Sequence, residues 1–377
     1  MLVLVVGSFM SLSMVMLYSM AAPDVGNHIA LMQAVWAVVG IVIATVISRL
    51  DYGWLQKHAW TILIVAVVLL ALVLIPHIGT MRNGGRRWFN LKFALVQPSE
   101  PAKLALILAL AAYGARFGRQ MGQFVRGLVA PGLIAAPVLA LIFVEPDRGT
   151  TILLCAVTGV MLVLAGAKLR YLVLPVVLLA TVFVVSIMHD PVRMRRVHSW
   201  MHPEETKSQT GYQSWQAMLA FGSGGTTGLG LGNSRQKMGF VPEHHTDFIL
   251  SIIGEEFGLV ATLGVIGGFL IFMACGVRIA LRARDTFGYL LASGLTFLIG
   301  FQAFINIGVV TSALPNKGLA LPFISYGGSS LLCMMAVVGL LISIARHSAA
   351  EEEQDDEVSD GESFGQSRNP FRVSEAS

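Results

Sequence analysis

The chain has 377 residues, of which 55% are hydrophobic and 13% carry a charge, and its formal net charge at pH 7 is +4. Soluble domains carry about 25% charged residues, so this composition excludes an ordinary soluble domain and indicates a protein embedded in a membrane. The apolar runs are continuous and do not alternate with polar residues, which favours helices as the spanning elements.

Ten apolar runs are candidates for membrane-crossing helices, which need about 20 mainly apolar residues. We therefore predict an all-α integral membrane protein with ten transmembrane helices and a large extracytoplasmic loop between the seventh and the eighth. The first run shows neither a basic leader nor a cleavage site, so we expect a retained helix and not a signal peptide. The predicted spans are 2–22, 29–47, 59–76, 102–115, 127–144, 149–167, 171–188, 254–277, 287–310 and 328–345.

The short connections between these spans predict the orientation of the protein. Basic residues in short loops mark the cytoplasmic side, and four alternate connections hold two or three of them each. An even number of spans then places both termini in the cytoplasm. The four connections are 49–57, 116–126, 168–170 and 278–284.

The chain divides into a membrane domain, residues 1–348, and a cytoplasmic tail, residues 349–377. Within the membrane domain, residues 189–247 form the large outer loop, and a structureless loop of that length is uncommon and usually functional. The tail begins with a run of acidic residues and is poor in apolar ones, so we expect it to be disordered. A solvated tail is favoured over a docking segment.

The first polar motif on the outer face contains two adjacent arginines, Arg86 and Arg87. The outer connections carry as many basic residues as the cytoplasmic ones, and an anionic ligand would explain them. Two neighbouring guanidinium groups suit phosphate or carboxylate oxygens. Further along, Glu100 and Lys103 are i,i+3 neighbours on one helical face, where a structural ion pair and a substrate-facing role are both open.

Two carboxylates follow the fifth span, in Glu145-Pro-Asp147-Arg148-Gly. They could hold a substrate hydroxyl or a divalent cation, which is the one candidate cofactor. They could equally pair with Arg148 and other basic residues. For Glu145 we favour pairing, and for Asp147 both interpretations are open.

Asp247 stands at the edge of the eighth span, in the run His-His-Thr-Asp. A carboxylate at a membrane boundary is costly to desolvate, so it normally persists only where it works or is paired. His244 and His245 could ligate a metal ion, but no other histidine has a suitable spacing, so we predict no metal site. The glycine-rich stretch 222–232 lacks the βαβ unit of a dinucleotide site, and a loop whose backbone closely approaches a ligand or another loop fits better.

The last motif lies between residues 314 and 330, where two prolines and three glycines break the chain before the tenth span. Irregular backbone at membrane depth is tolerated only where it is buried or lines a wet cavity. Lys317 is a cation near the mouth of that cavity, and Ser325 is a hydroxyl within the broken segment. Both are candidate substrate-binding residues, although Ser325 could instead satisfy freed backbone groups.

Taken together, these motifs resemble those of the SEDS (FtsW/RodA/SpoVE) family of bacterial cell-wall proteins, from the first span to about residue 345. Asn-Lys-Gly at 316–318 looks more like the division members of that family than the elongation members. The motifs that carry the resemblance are Gln97-Pro-Ser-Glu, Gly228-Leu-Gly-Leu-Gly-Asn-Ser, His245-Thr-Asp-Phe and Leu314-Pro-Asn-Lys-Gly with the serines that follow.

The resemblance implies a peptidoglycan glycosyltransferase that polymerises lipid II at the outer face of the bacterial cytoplasmic membrane during cell division. It also implies a class B penicillin-binding protein as transpeptidase partner, other membrane proteins of the division complex, and no nucleic acid. The family's essential Asp corresponds to Asp247, and the Glu and Lys of its Gln-Pro-x-Glu-x-x-Lys motif correspond to Glu100 and Lys103. The usual Gln-Pro-Asp-Leu-Gly is Glu145-Pro-Asp-Arg148-Gly here, which leaves the role of Arg148 undefined.

The chemistry of the residues agrees with this expectation. An acceptor sugar hydroxyl needs a base as it attacks the donor's anomeric carbon, and Asp247 could accept that proton. Inversion requires one such base and no covalent intermediate. The other candidate substrate-binding residues, including the cations that could balance the diphosphate leaving group, are Arg86, Arg87, Glu100, Lys103, Asp147, His245, Lys317 and Ser325.

Three alternatives are open from the sequence. A transporter of lipid-linked precursors would also place polar groups at helix breaks, but its charges should reach both faces, whereas these motifs gather on one. An elongation polymerase would share the same chemistry. A scaffold of the division complex would leave Asp247 dispensable.

Overall fold

The structure is a computed structural model that describes residues 1–20, 26–82, 85–90, 95–207, 211–236 and 246–367. The all-α prediction is confirmed, because this part of the chain forms twelve α-helices and one small sheet. A 3₁₀ turn, Gly118–Gln120, and a π-helical turn, Val125–Val129, precede the fifth helix. The helices are α1 Leu2–Ser19, α2 Gly26–Arg49, α3 Tyr52–Leu74, α4 Ser99–Phe117, α5 Ala130–Val144, α6 Arg148–Leu164, α7 Leu169–Met188, α8 Pro191–Met201, α9 Tyr212–Gly224, α10 Ile249–Arg282, α11 Thr286–Val310 and α12 Gly328–Ser367.

Eight helices of the described chain are long and apolar enough to cross a membrane. They are α1, α2, α3, α5 with its π turn, α7, α10, α11 and the first part of α12, and they agree with eight predicted spans. The other two predicted spans also form helices, but α4 carries three charged residues and α6 has only 17 residues. The chain is therefore a multi-pass membrane protein, and the count of ten crossings stays a prediction.

The centre of the bundle is formed by α4 and α11. Most residues of α4 are buried, and in α11 the buried share of the apolar window is 67%, whereas no residue of α7 is buried. Glycines let the two central helices pack closely: a β-carbon at Gly114 would lie 2.5 Å from Leu290, and one at Gly294 would lie 2.8 Å from Ile107. Around this centre, α4 also packs against α3, and α11 packs against α10 and α6.

The connection between α3 and α4 forms a three-stranded antiparallel sheet that the sequence analysis did not predict. Its strands are β1 Gly79–Arg82, β2 Gly85–Asn90 and β3 Leu95–Val96. Thr80 pairs with Trp88, and Phe89 pairs with Val96. The sheet packs against α3 and α12, and it carries Arg86 and Arg87 on β2.

The predicted large loop contains two helices, α8 and α9, so it is not structureless. The side chain of Asp190 caps α8 by accepting from the backbone amide of Val192 at 3.0 Å, and α9 packs along α10. α10 begins five residues before the predicted span, at Ile249, and its path breaks at Gly258, where φ is +77°. It therefore consists of two parts, residues 249–257 and 259–282.

The last helix, α12, has 40 residues. Its first part, to Ala349, is apolar enough to cross a membrane. The remainder continues to Ser367, so helical backbone extends into the acidic segment for which the sequence predicts disorder. Disorder of the tail stays a prediction.

Candidate functional site

Asp247 lies directly before α10, and its backbone is held by α11. The side-chain amide of Asn306 donates to the carbonyl oxygen of Asp247 at 2.8 Å and to that of Leu319 at 2.7 Å. One buried amide thus joins Asp247 to the irregular segment, residues 311–327, that connects α11 with α12. The backbone of Asp247 is therefore fixed independently of its carboxylate.

The carboxylate of Asp247 faces Gly318. A β-carbon on residue 318 would lie 2.7 Å from Oδ2 of Asp247, which is closer than ordinary van der Waals contact. Asp247 is only partly buried, whereas the next residue, Phe248, is fully buried. The carboxylate thus stands at the boundary between the packed bundle and the accessible surface.

Ser325 supports the backbone beside Asp247. Its hydroxyl donates to the carbonyl oxygen of Thr246 at 2.6 Å and accepts from the amide of Leu321 at 2.8 Å. The residue is buried. This geometry favours a backbone-supporting role for Ser325 over direct contact with a ligand.

Lys317 stands at the edge of a small apolar cavity. The cavity has a volume of about 130 Å³ and lies between α6 and α11, with Leu314, Pro315 and Lys317 closing one side. Burial lowers the pKa of the Lys317 amine. A cation beside an apolar space suits a ligand that is anionic at one end and apolar at the other.

The predicted pair of Glu100 and Lys103 forms inside the bundle. Nζ of Lys103 lies 2.9 Å from Oε1 of Glu100 and 3.2 Å from Oε1 of Gln302, and Lys103 is 1% exposed. Gln302 in turn donates to the carbonyl oxygen of Ala320 at 2.9 Å. This network joins α4 to α11 and to the irregular segment, which favours the structural role for Glu100 and Lys103.

Arg87 binds the turn between α5 and α6. Its Nε donates to the carbonyl oxygen of Glu145 at 2.7 Å and its Nη2 to that of Pro146 at 2.8 Å, and its Nη1 lies 4.0 Å from Oδ2 of Asp147. Arg87 is the extra residue of a β-bulge, between the pair of Arg86 with Met81 and the pair of Trp88 with Thr80. Arg87 is thus engaged with the protein, and joint binding of an anion by Arg86 and Arg87 stays a prediction.

Asp147 caps the start of α6. Its carboxylate accepts from the backbone amide and from the hydroxyl of Thr150, both at 3.0 Å. Nε2 of Gln97 lies 3.5 Å from the same carboxylate and also donates to Ser99 at 2.8 Å, which ties α6 to α4. Capping accounts for this buried carboxylate, so the structural interpretation is the better supported one.

Glu145 is fully buried at the end of α5, and among the described residues neither of its side-chain oxygens has a hydrogen-bond partner. Burial raises the pKa of Glu145 to about 8, and the nearby Asp147 adds to the rise while Arg87 opposes it. The group is therefore mostly protonated at neutral pH. The predicted pairing with Arg148 was wrong, because the Arg148 guanidinium lies over the ring of Phe143 at 3.3 Å. Of the other basic residues, Arg87 acts on the charge of Glu145 but donates to its backbone carbonyl oxygen and not to its carboxylate.

These groups lie together at one end of the bundle. A β-carbon at Gly149 would lie 3.1 Å from Leu319, so the start of α6 contacts the irregular segment, which Asn306 joins to Asp247. His245 lies outside the described residues and stays a prediction. In the described part of the chain, no three His, Cys, Asp or Glu side chains are grouped to hold a metal ion, and a divalent cation as cofactor stays a prediction too.

The sequence analysis missed two polar residues of α11, Gln302 and Asn306. They are four residues apart and hence on one helix face, and a polar side chain inside an apolar span is a signal of a functional position. That signal was available from the sequence. Glu255 and Glu256, which are buried in α10, were also missed, although they too are polar side chains inside an apolar span.

Comparisons with known proteins agree with the family resemblance. The profile of the FTSW_RODA_SPOVE family, described as "Cell cycle protein", matches residues 1–350. A "Probable peptidoglycan glycosyltransferase FtsW" from Geobacter metallireducens is 42% identical over 313 residues, which cover 83% of this chain and 84% of the relative. "Stage V sporulation protein E" from Bacillus subtilis is 35% identical over 353 residues, which cover 92% of this chain and 96% of the relative.

Solved structures share the fold over nearly the whole chain. One, described as "Structural coordination of polymerization and crosslinking by a peptidoglycan synthase complex", has a TM-score of 0.78 at 29% identity and covers 92% of this chain and 97% of that chain. The rod shape determining protein RodA of Thermus thermophilus has a TM-score of 0.68 at 28% identity and covers 92% of this chain and 95% of that chain.

Proposed function

Since the chain belongs to the FtsW/RodA/SpoVE family of cell cycle proteins, we propose that it is a peptidoglycan glycosyltransferase that polymerises lipid II during septal cell-wall synthesis. Relatives named as probable peptidoglycan glycosyltransferases FtsW are 40% and 42% identical to it. The solved RodA of Thermus thermophilus is 28% identical, and the higher identity to the FtsW relatives supports the division branch over the elongation branch.

The observation that carries the proposal is the setting of Asp247. Its backbone is fixed by Asn306, and its carboxylate is partly accessible and lies against a residue without a side chain, Gly318. A general base needs both a fixed position and access to the proton that it abstracts.

In the proposed step, a hydroxyl of the acceptor sugar attacks the anomeric carbon of the donor. The bond between that carbon and the diphosphate oxygen breaks, and its electron pair leaves with the diphosphate. Asp247 accepts the proton of the attacking hydroxyl. One base is sufficient because a single displacement inverts the configuration without a covalent intermediate.

Lys317 is the proposed partner of the diphosphate. Its amine offsets the negative charge that grows on the leaving group, and the neighbouring apolar cavity is suited to the lipid chain next to the diphosphate. Arg86, the residue before Arg87 on β2, is the second candidate cation.

The remaining candidates hold the site. Arg87, Glu100, Lys103, Asp147 and Ser325 each contact other parts of the protein, so we assign them to positioning. His245, two residues before Asp247, is proposed to bind the substrate beside the base.

We place the site at the outer face of the cytoplasmic membrane, with both termini in the cytoplasm, because the basic short connections lie at the opposite end of the spans. We also propose a class B penicillin-binding protein as the partner that supplies transpeptidation. This is supported by the fold shared with a protein from a complex whose description joins polymerization with crosslinking.

Purified protein incubated with fluorescently labelled lipid II tests the proposal. We expect glycan strands on a gel, and more strands at equal protein concentration when the penicillin-binding protein is present. Lipid II that crosses the bilayer of a vesicle without forming strands would identify a transporter instead. Equal rates with and without the partner would refute the partnership alone.

A further inference from the structure

Two adjacent glutamates of α10, Glu255 and Glu256, are buried and take no part in the proposed reaction. Glu255 is 1% exposed and Glu256 is 0% exposed. Buried carboxylates are costly unless they are paired or hydrogen-bonded. Both residues lie on the short helical segment 249–257, which begins two residues after Asp247.

The backbone of this segment is bonded to the glycine-rich loop, residues 225–236. The amides of Leu229 and Gly230 donate to the carbonyl oxygens of Glu255 and Glu256, both at 2.9 Å. In a regular helix those oxygens would accept from residues 259 and 260. Here the amide of Leu259 donates to a carbonyl oxygen of the loop, at residue 225, at 2.9 Å. The loop thus replaces the helical hydrogen bonds that are lost at the break in α10.

Glycines make this insertion sterically feasible. A β-carbon at Gly228 would lie 2.2 Å from the carbonyl oxygen of Glu256, and one at Gly258 would lie 2.4 Å from the amide nitrogen of Gly228. Both glycines have left-handed backbone angles, with φ of +80° and +77°. The close backbone approach expected from the glycine-rich sequence is therefore an approach to α10.

The side chain of Glu255 fastens the far end of the loop and also contacts the end of α9, which precedes the loop. Its carboxylate accepts from the hydroxyl of Ser234, from the backbone amides of Arg235 at 3.1 Å and Gln236 at 3.3 Å, and from the hydroxyl of Ser223 at 3.4 Å. An ionised carboxylate is an acceptor at both oxygens, whereas the glutamine side chain would turn an NH₂ group towards some of these donors. The contacts therefore use the glutamate side chain as an acceptor at both oxygens, which glutamine cannot reproduce.

We propose that Glu255 is a positioning residue for Asp247, and this rests on the proposed function. By fastening the glycine-rich loop to segment 249–257, Glu255 fixes the far end of the segment that follows Asp247, while Asn306 fixes the backbone of Asp247 itself. A segment held at one end only would let the base shift. A misplacement of about 1 Å can cost about 100-fold in rate.

The kinetic test uses Glu255→Gln, Ser234→Ala and the double variant. We expect kcat for glycan synthesis to fall about 10- to 100-fold in Glu255→Gln, while KM for lipid II stays within about twofold. The double variant should be no slower than Glu255→Gln, because two residues that act through one contact are not additive. Additive losses would overturn the proposal.

Amide hydrogen exchange of residues 229–236 distinguishes positioning from a general loss of structure. In Glu255→Gln we expect about tenfold faster exchange in this loop and near-wild-type exchange in α11. Glu256→Gln is the matched control. The carboxylate of Glu256 is as buried as that of Glu255, but it accepts from Ser19 of α1 at 2.7 Å and not from the loop residues 225–236. In this variant, amide exchange of the loop should stay near wild type.

The proposal is overturned if kcat falls without faster loop exchange, or if the loop exchanges faster while kcat is unchanged. If Glu255→Gln does not fold, the same two measurements, kcat and amide exchange of the loop, are made on Ser234→Ala, in which Glu255 is intact. Failure of the proposed function gives a different result: the wild-type protein itself makes no glycan strands.

Discussion

Gly318 lies against the carboxylate of Asp247 so closely that a β-carbon on residue 318 would come within 2.7 Å of Oδ2. Asn306 also links the two segments, because its side-chain amide donates to the backbone carbonyl oxygens of Asp247 and of Leu319, the residue after Gly318. The spacing between the irregular segment and the carboxylate is therefore set by the absence of a side chain at residue 318.

Replacing Gly318 by alanine should lower activity without unfolding the protein. Gly318 has no positive φ and is exposed, so alanine adds no backbone strain, but its methyl group displaces the carboxylate. We expect kcat to fall about tenfold at unchanged thermal stability. Gly327→Ala is the control, because a β-carbon there would meet only an ordinary contact, 3.7 Å from Ser330. Equal rates for the two variants would contradict the prediction.

Asp247→Asn should abolish polymerisation while the fold persists. Asparagine keeps the size of the side chain but cannot accept the proton, and loss of a general base costs about 10² to 10⁴ in rate. Asp247→Glu should be weakly active, because the carboxylate moves by about one bond length. Strand synthesis from lipid II and detergent melting curves measure both properties. A folded Asn variant with wild-type activity would eliminate Asp247 as the base.

Asn306→Ala should lower both stability and activity. The substitution leaves the carbonyl oxygens of Asp247 and Leu319 without their donor, and each unsatisfied buried group costs about 1–3 kcal/mol. Asn306→Asp has the same shape but no donor, so it should be at least as unstable. Melting temperatures of the three proteins decide this, and a stable Asp variant would show that the amide is dispensable.

Glu145 should make the stability of the protein depend on pH. The folded state raises the pKa of Glu145 from 4.5 to about 8, so between these values the folded state holds a proton that the unfolded state has lost. This contribution to stability is complete below pH 4.5 and declines as the pH rises to about 8. Glu145→Gln should remove the decline, as seen in melting temperatures at pH 6 and pH 8.5. If the melting temperatures of the wild type and of Glu145→Gln fell equally between pH 6 and pH 8.5, Glu145 would not be the source of the pH dependence.

Deleting residues 349–377 should leave polymerisation largely intact. The acidic segment has little apolar surface to pack against the membrane domain, and we place it across the membrane from Asp247. The truncated and full-length proteins should make similar amounts of glycan in detergent. A large loss of activity in a truncated protein with a normal melting curve would assign the tail a catalytic role.

Local sequence patterns predicted the spans and the contacts between close neighbours. Continuous hydropathy located eight crossing helices, and i,i+3 spacing predicted the contact of Glu100 with Lys103, which forms at 2.9 Å. The start of α10 was placed five residues too late, although the predicted span included Glu255 and Glu256. The carboxylate of Glu255 is bonded by the glycine-rich loop and that of Glu256 by Ser19 of α1, and no local pattern connects these segments.

Contacts between distant segments could not be predicted from the sequence. Asn306 meets a carbonyl oxygen 59 residues away, and Arg87 bonds the carbonyl oxygen of a residue 58 positions away. Such bonds depend on how the helices pack, and their partners are backbone atoms that any residue possesses. The pairing of Glu145 with Arg148 was predicted wrongly, because closeness in sequence does not show that the guanidinium of Arg148 packs on the ring of Phe143.

The cavity beside Lys317 is a second place, apart from the carboxylate of Asp247, where a small molecule could bind. Its volume of about 130 Å³ is close to the size of an apolar cavity that binds benzene, about 150 Å³. Leu314 and Pro315 form part of its wall, close in sequence to Gly318. A small apolar compound in this cavity would compete with the lipid chain that we propose to lie there, and it would inhibit without resembling a sugar. Resistance would then arise in the walls formed by α6 and α11, at Ile152 and Val309, and would leave the carboxylate unchanged.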